Sequence, residues 1–318
     1  MSLRLSFIVP FYNVEPYIEE CIRSLYAQDI PWEEYEVICV DDCSPDGSRA
    51  IVERLQNEYP TLHLLTTPEN LRQGGARNMA LNVARGKYVC FVDSDDYIKS
   101  NCLASLLQQA EDDNLDILDF DFDSGELGMS RGMYKNSTSY SMGVCMGTEY
   151  IFDDRSYWST KCGCVCGMLI RRLFIEVNKL RFVEKKQFED TDFSIKMFIK
   201  AERVYHLGEK YYFYRLSSTS STHSEITFKN IYYRVEAIKR FIDLYNTTLD
   251  LRWKIGLREM IRNDVYDLLA ILRRTTITNQ CLFYICRLGA IRKLYVFIGK
   301  KSMLSLNSII LLYMLQKK

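Results

Sequence analysis

The sequence predicts an α/β fold: a mostly parallel sheet flanked by helices, with a C-terminal helical extension. Three observations lead there. Through the first hundred residues, short apolar runs alternate with segments of helical period, the pattern of parallel strands joined by crossover helices. Each run delivers polar residues at its carboxyl end, the end at which such sheets bind ligands. From Ile231 onward the pattern is helical.

The elements follow in order. LSFIVPFY (5–12) is a strand, and Val14, Ile18, Cys21, Ile22 and Leu25 then fall on one helical face. EVICVDDCSPDGS (36–48) gives a second strand and a loop with Pro45 and Gly47, ahead of a helix through Ile51, Val52 and Leu55. LHLLTT (62–67) is the third strand. In NLRQGGARNMALNVARG after it, Ala76, Met79, Ala80 and Val83 carry helical spacing. KYVCFV (87–92) is the fourth. LDILDFDF (115–122) alternates apolar and acidic residues, so Asp116, Asp119 and Asp121 are expected on its solvent side. Residues 124–160 lack a clear period. CGCVCGMLIRR reads as a strand, a helix is expected from Glu189 to Val204, and KYYFYRLSSTSSTH reads as an aromatic strand. Ile231, Val235, Ile238, Ile242 and Tyr245 mark an amphipathic helix.

At 318 residues the chain accommodates one large α/β domain and an appendage; the expected division is 1–222 and 223–318. An apolar fraction of 47% with 26% charged residues excludes a disordered chain. The zero net charge is unevenly spread. From Leu251 onward thirteen Lys or Arg face only Glu259, Asp264 and Asp267, leaving ten positive charges there and ten negative charges before it. A basic tail on an acidic body suggests that the tail meets an anionic surface, and no nucleic-acid partner is expected. The apolar run from Met303 to Leu315 is too short to cross a bilayer but suits an interfacial helix or a homodimer contact. The eleven cysteines are an odd number and the chain opens on a strand pattern, so a reduced, cytosolic setting is expected. Cys162, Cys164 and Cys166 lack the two-residue spacing of zinc knuckles and read as small core residues.

The sharpest feature is VCFVDSDDYI (89–98), an apolar strand running into Asp93, Asp95 and Asp96 around Ser94. Clustered carboxylates repel one another and need solvent, a basic side chain or a cation to compensate them. Three readings compete at this point: a solvated turn with a helix cap, a hard divalent cation shared with substrate phosphates, and a carboxylate pair for acid–base chemistry.

FIVPFYN, VDDCSPDGS, NLRQGGARN, FVDSDD, FEDTDF and YRLSSTSST occur in this order over about residues 3 to 222, and with them the chain resembles the family 2 glycosyltransferases. The resemblance implies the Rossmann-like A-type glycosyltransferase fold and metal-dependent inverting transfer of a sugar from a nucleotide-sugar, most often a UDP-sugar. A saccharide or lipid-linked acceptor in bacterial surface polysaccharide or glycolipid assembly is implied with it. Pro10, Tyr12 and Asn13 would begin the base-binding wall. Asp42 would meet the base or ribose, against the alternative of a turn residue capping the next helix. Gly74 and Arg77 belong to a Gly-Ala-Arg-Asn segment in which the Arg fork meets phosphate or pairs with Asp93. Asp93 and Ser94 would contact the donor, Asp93 and Asp95 would hold Mn²⁺ or Mg²⁺, and Asp96 would cap the following helix. His223 would be a late metal or diphosphate ligand, or a surface histidine. Asp190 would be the base with Glu189 beside it, although acidic residues also favour any first helical turn, and Arg215 would approach the diphosphate.

Two rivals are open to the same residues. A sugar nucleotidylyltransferase would need a Gly-rich phosphate loop after the first strand, where this chain has FYNVEPY. A non-catalytic nucleotide-binding subunit would bind donor without turning it over.

Overall fold

The computed structural model describes residues 3–123, 141–153, 162–215 and 228–274. The chain falls into two compact units, Met1–Ser218 and Thr219–Lys318. In the first, β1 (Leu5–Phe11), β2 (Tyr35–Asp41), β3 (Leu62–Thr66) and β4 (Tyr88–Phe91) form a parallel block in the order β3-β2-β1-β4. Every residue of β1, β2 and β4 is buried, as expected of strands covered on both faces. The register Phe7↔Val37 and Phe7↔Cys90 aligns the three strands, so that their carboxyl ends share one rim.

The crossover helices are α1 (Ile18–Tyr26), α2 (Ser48–Gln56) and α3 (Arg72–Leu81). Ile18, Cys21, Ile22 and Leu25 are buried, the stripe read from their spacing. Helix α3 is buried on nearly every side, at Gly74, Gly75, Ala76, Arg77, Asn78, Ala80 and Leu81. Val83, expected on its apolar face, lies beyond the helix end and is 47% exposed.

Next come β5 (Tyr97–Ile98), α4 (Leu103–Asp112), β6 (Ile117–Asp123), β7 (Met142–Cys145), α5 (Gly147–Ile151), β8 (Met168–Arg171), α6 (Arg172–Val177), α7 (Glu189–Lys200) and β9 (Val204–Phe213). They continue the sheet as β4-β8-β6-β9-β5. β8 is antiparallel to both β4 and β6, β6 is parallel to β9, and β7 pairs with β9 as a branch. Three expectations are corrected. The cysteine-rich stretch becomes a strand only at Met168, with Phe91 and Cys166 forming an isolated bridge before it. The helix from Glu189 ends at Lys200, and Val204 opens β9. Asp119 and Asp121 are not on a solvent face: both are buried, because β6 lies between β8 and β9. Asp119 is matched by the Tyr150 hydroxyl and by His206 Nδ1 at 2.6 Å, and His206 Nε2 lies 3.8 Å from Asp121.

The second unit contains α8 (Phe228–Thr247) and α9 (Leu251–Arg274). Ile231, Val235, Ile238 and Ile242 of the expected stripe are buried, as are Trp253, Leu257 and Ile261 of α9. Arg234 joins the two helices through Asp264 at 3.0 Å. Among the described residues no helix is long and apolar enough to cross a membrane. The run from Met303 to Leu315 lies outside the described residues. The nine described cysteines are free.

Candidate active site

The rim of the parallel block is made by sharp reversals. Asn13 (φ 56°), Cys43 (φ 65°) and Arg72 (φ 62°) all adopt the left-handed region, which Asn tolerates and which costs other side chains roughly 1–2 kcal/mol. Pro10 is buried within β1 as part of the sheet, whereas Tyr12 and Asn13 are exposed on the rim. Asn13 N–H donates to Ser44 Oγ at 3.3 Å, tying the loops after β1 and β2 together.

Asp42 does not cap the helix after Gly47: Gly47 is itself the N-cap, without a side-chain cap bond, and Asp46 just before it accepts from Ser48 N–H and Ser48 Oγ at 3.2 and 2.7 Å. Asp42 instead accepts from Thr67 Oγ1 and Leu71 N–H, each at 2.8 Å on Oδ1. It thereby positions the loop between β3 and α3, with Oδ2 left over from both bonds.

The Asp93–Asp96 turn is closed by Asp96 N–H donating to Asp93 C=O at 3.0 Å. Asp93 Oδ1 accepts from Arg77 Nη2 at 2.8 Å. Ser94 is buried within the turn. The Asp95 carboxylate has no side-chain hydrogen-bond partner among the described residues; burial, then Asp93, push it up to about 6. Asp96 does not cap α4. It is buried, its Oδ2 accepts from Tyr212 Oη at 2.7 Å, and its Oδ1 accepts from Arg215 N–H at 2.8 Å. Burial, Asp93 and Asp95 together raise it to about 8.

Arg77 crosses from this turn to the other acidic pair. Its side chain is 3% exposed, with Nη2 on Asp93 and Nη1 on Glu189 Oε1 at 3.1 Å, and the guanidinium lies over the Phe182 ring, 5.3 Å from its centroid. Burial opposes its charge, but Asp93 and Glu189 outweigh that and hold it protonated. Both hydrogen-bonding arms of the fork are thus taken by carboxylates. The rest of the Gly-Ala-Arg-Asn segment docks the stretch carrying Glu189. A Cβ on Gly74 would lie 2.6 Å from Val183 O and 3.0 Å from Glu189 Cγ. Asn78 pairs with the Phe182 backbone in both directions at 2.9 Å.

Helix α7 begins after Phe188, itself left-handed at φ 60°. Glu189 is buried and fixed by Arg77. Asp190, on the first turn, is partly exposed; its Oδ1 accepts from Thr191 N–H at 2.7 Å, and its Oδ2 makes no hydrogen bond among the described residues. Burial, then Glu189, raise it to about 7 against the pull of Arg77. A carboxylate with a free oxygen and a value near neutrality is suited to taking a proton.

Arg215 donates from Nε to Asp95 C=O at 2.9 Å, pairs with Glu20, and lies over the rings of Tyr17 and Tyr97, 5.1 and 5.7 Å from their centroids. The turn, Arg77, Glu189, Asp190 and Arg215 form one connected set within the first unit. His223 lies outside the described residues. Tyr212 and Phe182 join the set although neither belongs to a recognisable motif; the density of aromatic residues in KYYFYR marks the strand end but not which ring turns inward. Among the described residues no group of three or more His, Cys, Asp or Glu side chains is disposed to hold a metal ion.

An α/β sheet of this order with acidic clusters at its carboxyl rim defines an enzyme domain of the glycosyltransferase type, similar to solved A-type glycosyltransferases. The Glycosyl transferase family 2 model matches residues 6–177, more than half of the sequence, and the chain belongs to that family. It is 30% identical over 272 residues to the poly(ribitol-phosphate) beta-glucosyltransferase of Bacillus spizizenii, covering 83% of this chain and 40% of that protein. It is 33% identical over 217 residues to the poly(ribitol-phosphate) beta-N-acetylglucosaminyltransferase TarS of Staphylococcus aureus, covering 67% of this chain and 35% of that protein. The chain therefore spans less than half the length of these two relatives. The crystal structure of S. aureus TarS 1–349 in complex with UDP-GlcNAc superposes with a TM-score of 0.67 at 25% identity, covering 93% of this chain and 80% of that one.

Proposed function

We propose that this protein is a metal-dependent inverting glycosyltransferase that moves a sugar from a UDP-sugar to a growing surface polymer. The observation that carries the reading is the bridge made by Arg77, which ties Asp93 at 2.8 Å to Glu189 at 3.1 Å and so fixes the acidic turn relative to the carboxylate at the start of α7. In this reading the first unit binds the donor over the rim, with Tyr12, Asn13 and Asp42 toward the nucleoside and Asp93, Ser94 and Arg215 toward the diphosphate. Asp190 Oδ2 takes the acceptor hydroxyl proton as the oxygen attacks the anomeric carbon opposite the departing diphosphate. Burial, and after it Glu189, keep Asp190 ready by raising its proton affinity.

A hard divalent cation fits the donor set. Asp95 offers a carboxylate without a side-chain partner, crowded by Asp93, and Mg²⁺ or Mn²⁺ is commonly held by one or two carboxylates plus substrate phosphates. Asp93 and Asp95 would hold it, with His223 a further candidate. When bound it would supply charge neutralisation for the leaving diphosphate. Arg77 has both Nη groups engaged by carboxylates, so its part in donor binding is to orient Asp93.

The UDP-GlcNAc of the TarS complex supports a UDP-sugar donor, and the beta products named for both relatives support inversion, since UDP-glucose and UDP-GlcNAc are α-linked. Their poly(ribitol-phosphate) acceptors support a polyol-phosphate or saccharide polymer, lipid-linked or free. The basic residues from Leu251 onward support attachment of the second unit to an anionic surface at the inner face of the membrane. The test is turnover of a UDP-sugar panel with Mn²⁺ and with chelator. Metal-dependent release of UDP supports the reading. Binding without turnover favours the non-catalytic subunit.

A further inference from the structure

We infer that Tyr212 is a positioning residue for the acidic turn, holding Asp93 and Asp95 where a divalent cation and the donor diphosphate meet them; the inference rests on the metal-dependent reading above. One hydroxyl serves both ends of the turn. Tyr212 Oη donates to Asp96 Oδ2 at 2.7 Å and accepts from Asp93 N–H at 3.1 Å, and these are the two residues whose backbones close the turn.

The ring that carries this hydroxyl is 1% exposed, packs on Phe122 with centroids 4.8 Å apart, and sits on β9 opposite Ile98 of β5. Burial on a paired strand leaves the hydroxyl little freedom, so it acts as a fixed point against which the turn is set. Arg215 adds two more contacts from the same chain end, its N–H to Asp96 and its Nε to Asp95 C=O. The turn is thus gripped by the end of β9, well over a hundred residues away in sequence. Removing the hydroxyl strands a buried acceptor on Asp96 and frees the backbone of Asp93. Groups that orient metal ligands cost about 10- to 100-fold in metal affinity or activity when lost.

The experiment is calorimetric titration of UDP into the full chain, with Mn²⁺ and with chelator, for wild type and Tyr212→Phe, with circular dichroism as the check on folding. The expected result is a loss of about 10- to 100-fold in UDP affinity with Mn²⁺, no change with chelator, and a native spectrum. Unchanged affinity with Mn²⁺, or equal losses with and without metal, overturns the positioning role while leaving the functional reading intact. A wild-type protein that binds UDP no better with Mn²⁺ than with chelator overturns both. Should Tyr212→Phe fail to fold, Asp96→Asn breaks the same link from the other side, since an amide cannot accept from Tyr212 and from Arg215 N–H on two oxygens. The same metal-specific loss is expected, and its absence overturns the inference.

Discussion

Replacing Arg77 by Met removes the guanidinium that, among the described residues, reaches both acidic groups, while keeping an apolar side chain over Phe182. Glu189, whose side chain is 8% exposed, and Asp93, at 26%, then lose a cation at 3.1 and 2.8 Å. Breaking a buried ion pair from one side costs about 3–5 kcal/mol, because a charge is left uncompensated out of water. In a folding unit of roughly 220 residues each kcal/mol moves the melting midpoint by about 2–4 °C, so Arg77→Met should lower it by about 6–20 °C. Most of the loss belongs to Glu189, the more buried carboxylate, so Arg77→Met/Glu189→Gln should melt higher than the sum of the two single changes allows. Arg77→Lys should fall between, since one ammonium cannot present two fixed donors to two carboxylates. Thermal melts of the four variants in chelator test this. A midpoint within 2 °C of wild type for Arg77→Met, with strictly additive effects, would refute the view that the bridge is a buried coupled network.

Asp95→Ala should abolish the extra thermal stabilisation that UDP gains from Mn²⁺ and leave the fold intact; persistence of that difference in a thermal shift assay would remove Asp95 from the ligand set. Since Asp190 must be ionised to take a proton and is raised to about 7, donor-saturated turnover should fall roughly tenfold per pH unit below about 7, and a flat profile from pH 5 to 8 would exclude it as the base. The same raised value has a stability consequence of definite sign. The ionised carboxylate is disfavoured in the folded chain, so its cost appears as pH rises from about 4 through 7. Asp190→Asn should therefore melt higher than wild type at pH 8 and alike near pH 4.

The parallel block was legible because β1, β2 and β4 are apolar along their whole length and each hands over to a turn rich in Asn, Asp or Gly. The acidic turn stands out for the same local reason, whereas the Glu189–Asp190 pair, which opens a helix and not a strand end, is singled out only by the family resemblance. The sequence offers Asp93 as one partner for Arg77, and the two do pair at 2.8 Å; the partners contributed from far along the chain were not legible. Arg77 and Glu189 are 112 positions apart and Tyr212 and Asp96 are 116 apart, so the reading of Asp96 as a helix cap had only its neighbours to draw on. Asp119 and Asp121 misled because alternation normally marks a half-exposed strand. Here β6 is interior and the acidic face is matched by His206 and Tyr150, contributed by β9 and α5. The Gly-Ala-Arg-Asn segment was recognisable as a pattern, yet its close approach is to the Val183 carbonyl, a contact that only the folded chain reveals.

The central claim is inverting transfer with Asp190 as the base, and it is tested most directly by following the anomeric proton of the released sugar by NMR. Full-length protein with Mn²⁺ and a UDP-α-sugar, supplied with acceptor or with water alone, should give product that is initially β. Asp190→Asn should still bind UDP and should turn over about 10²- to 10⁴-fold more slowly. Product of α configuration, or a wild-type rate in Asp190→Asn, would contradict it.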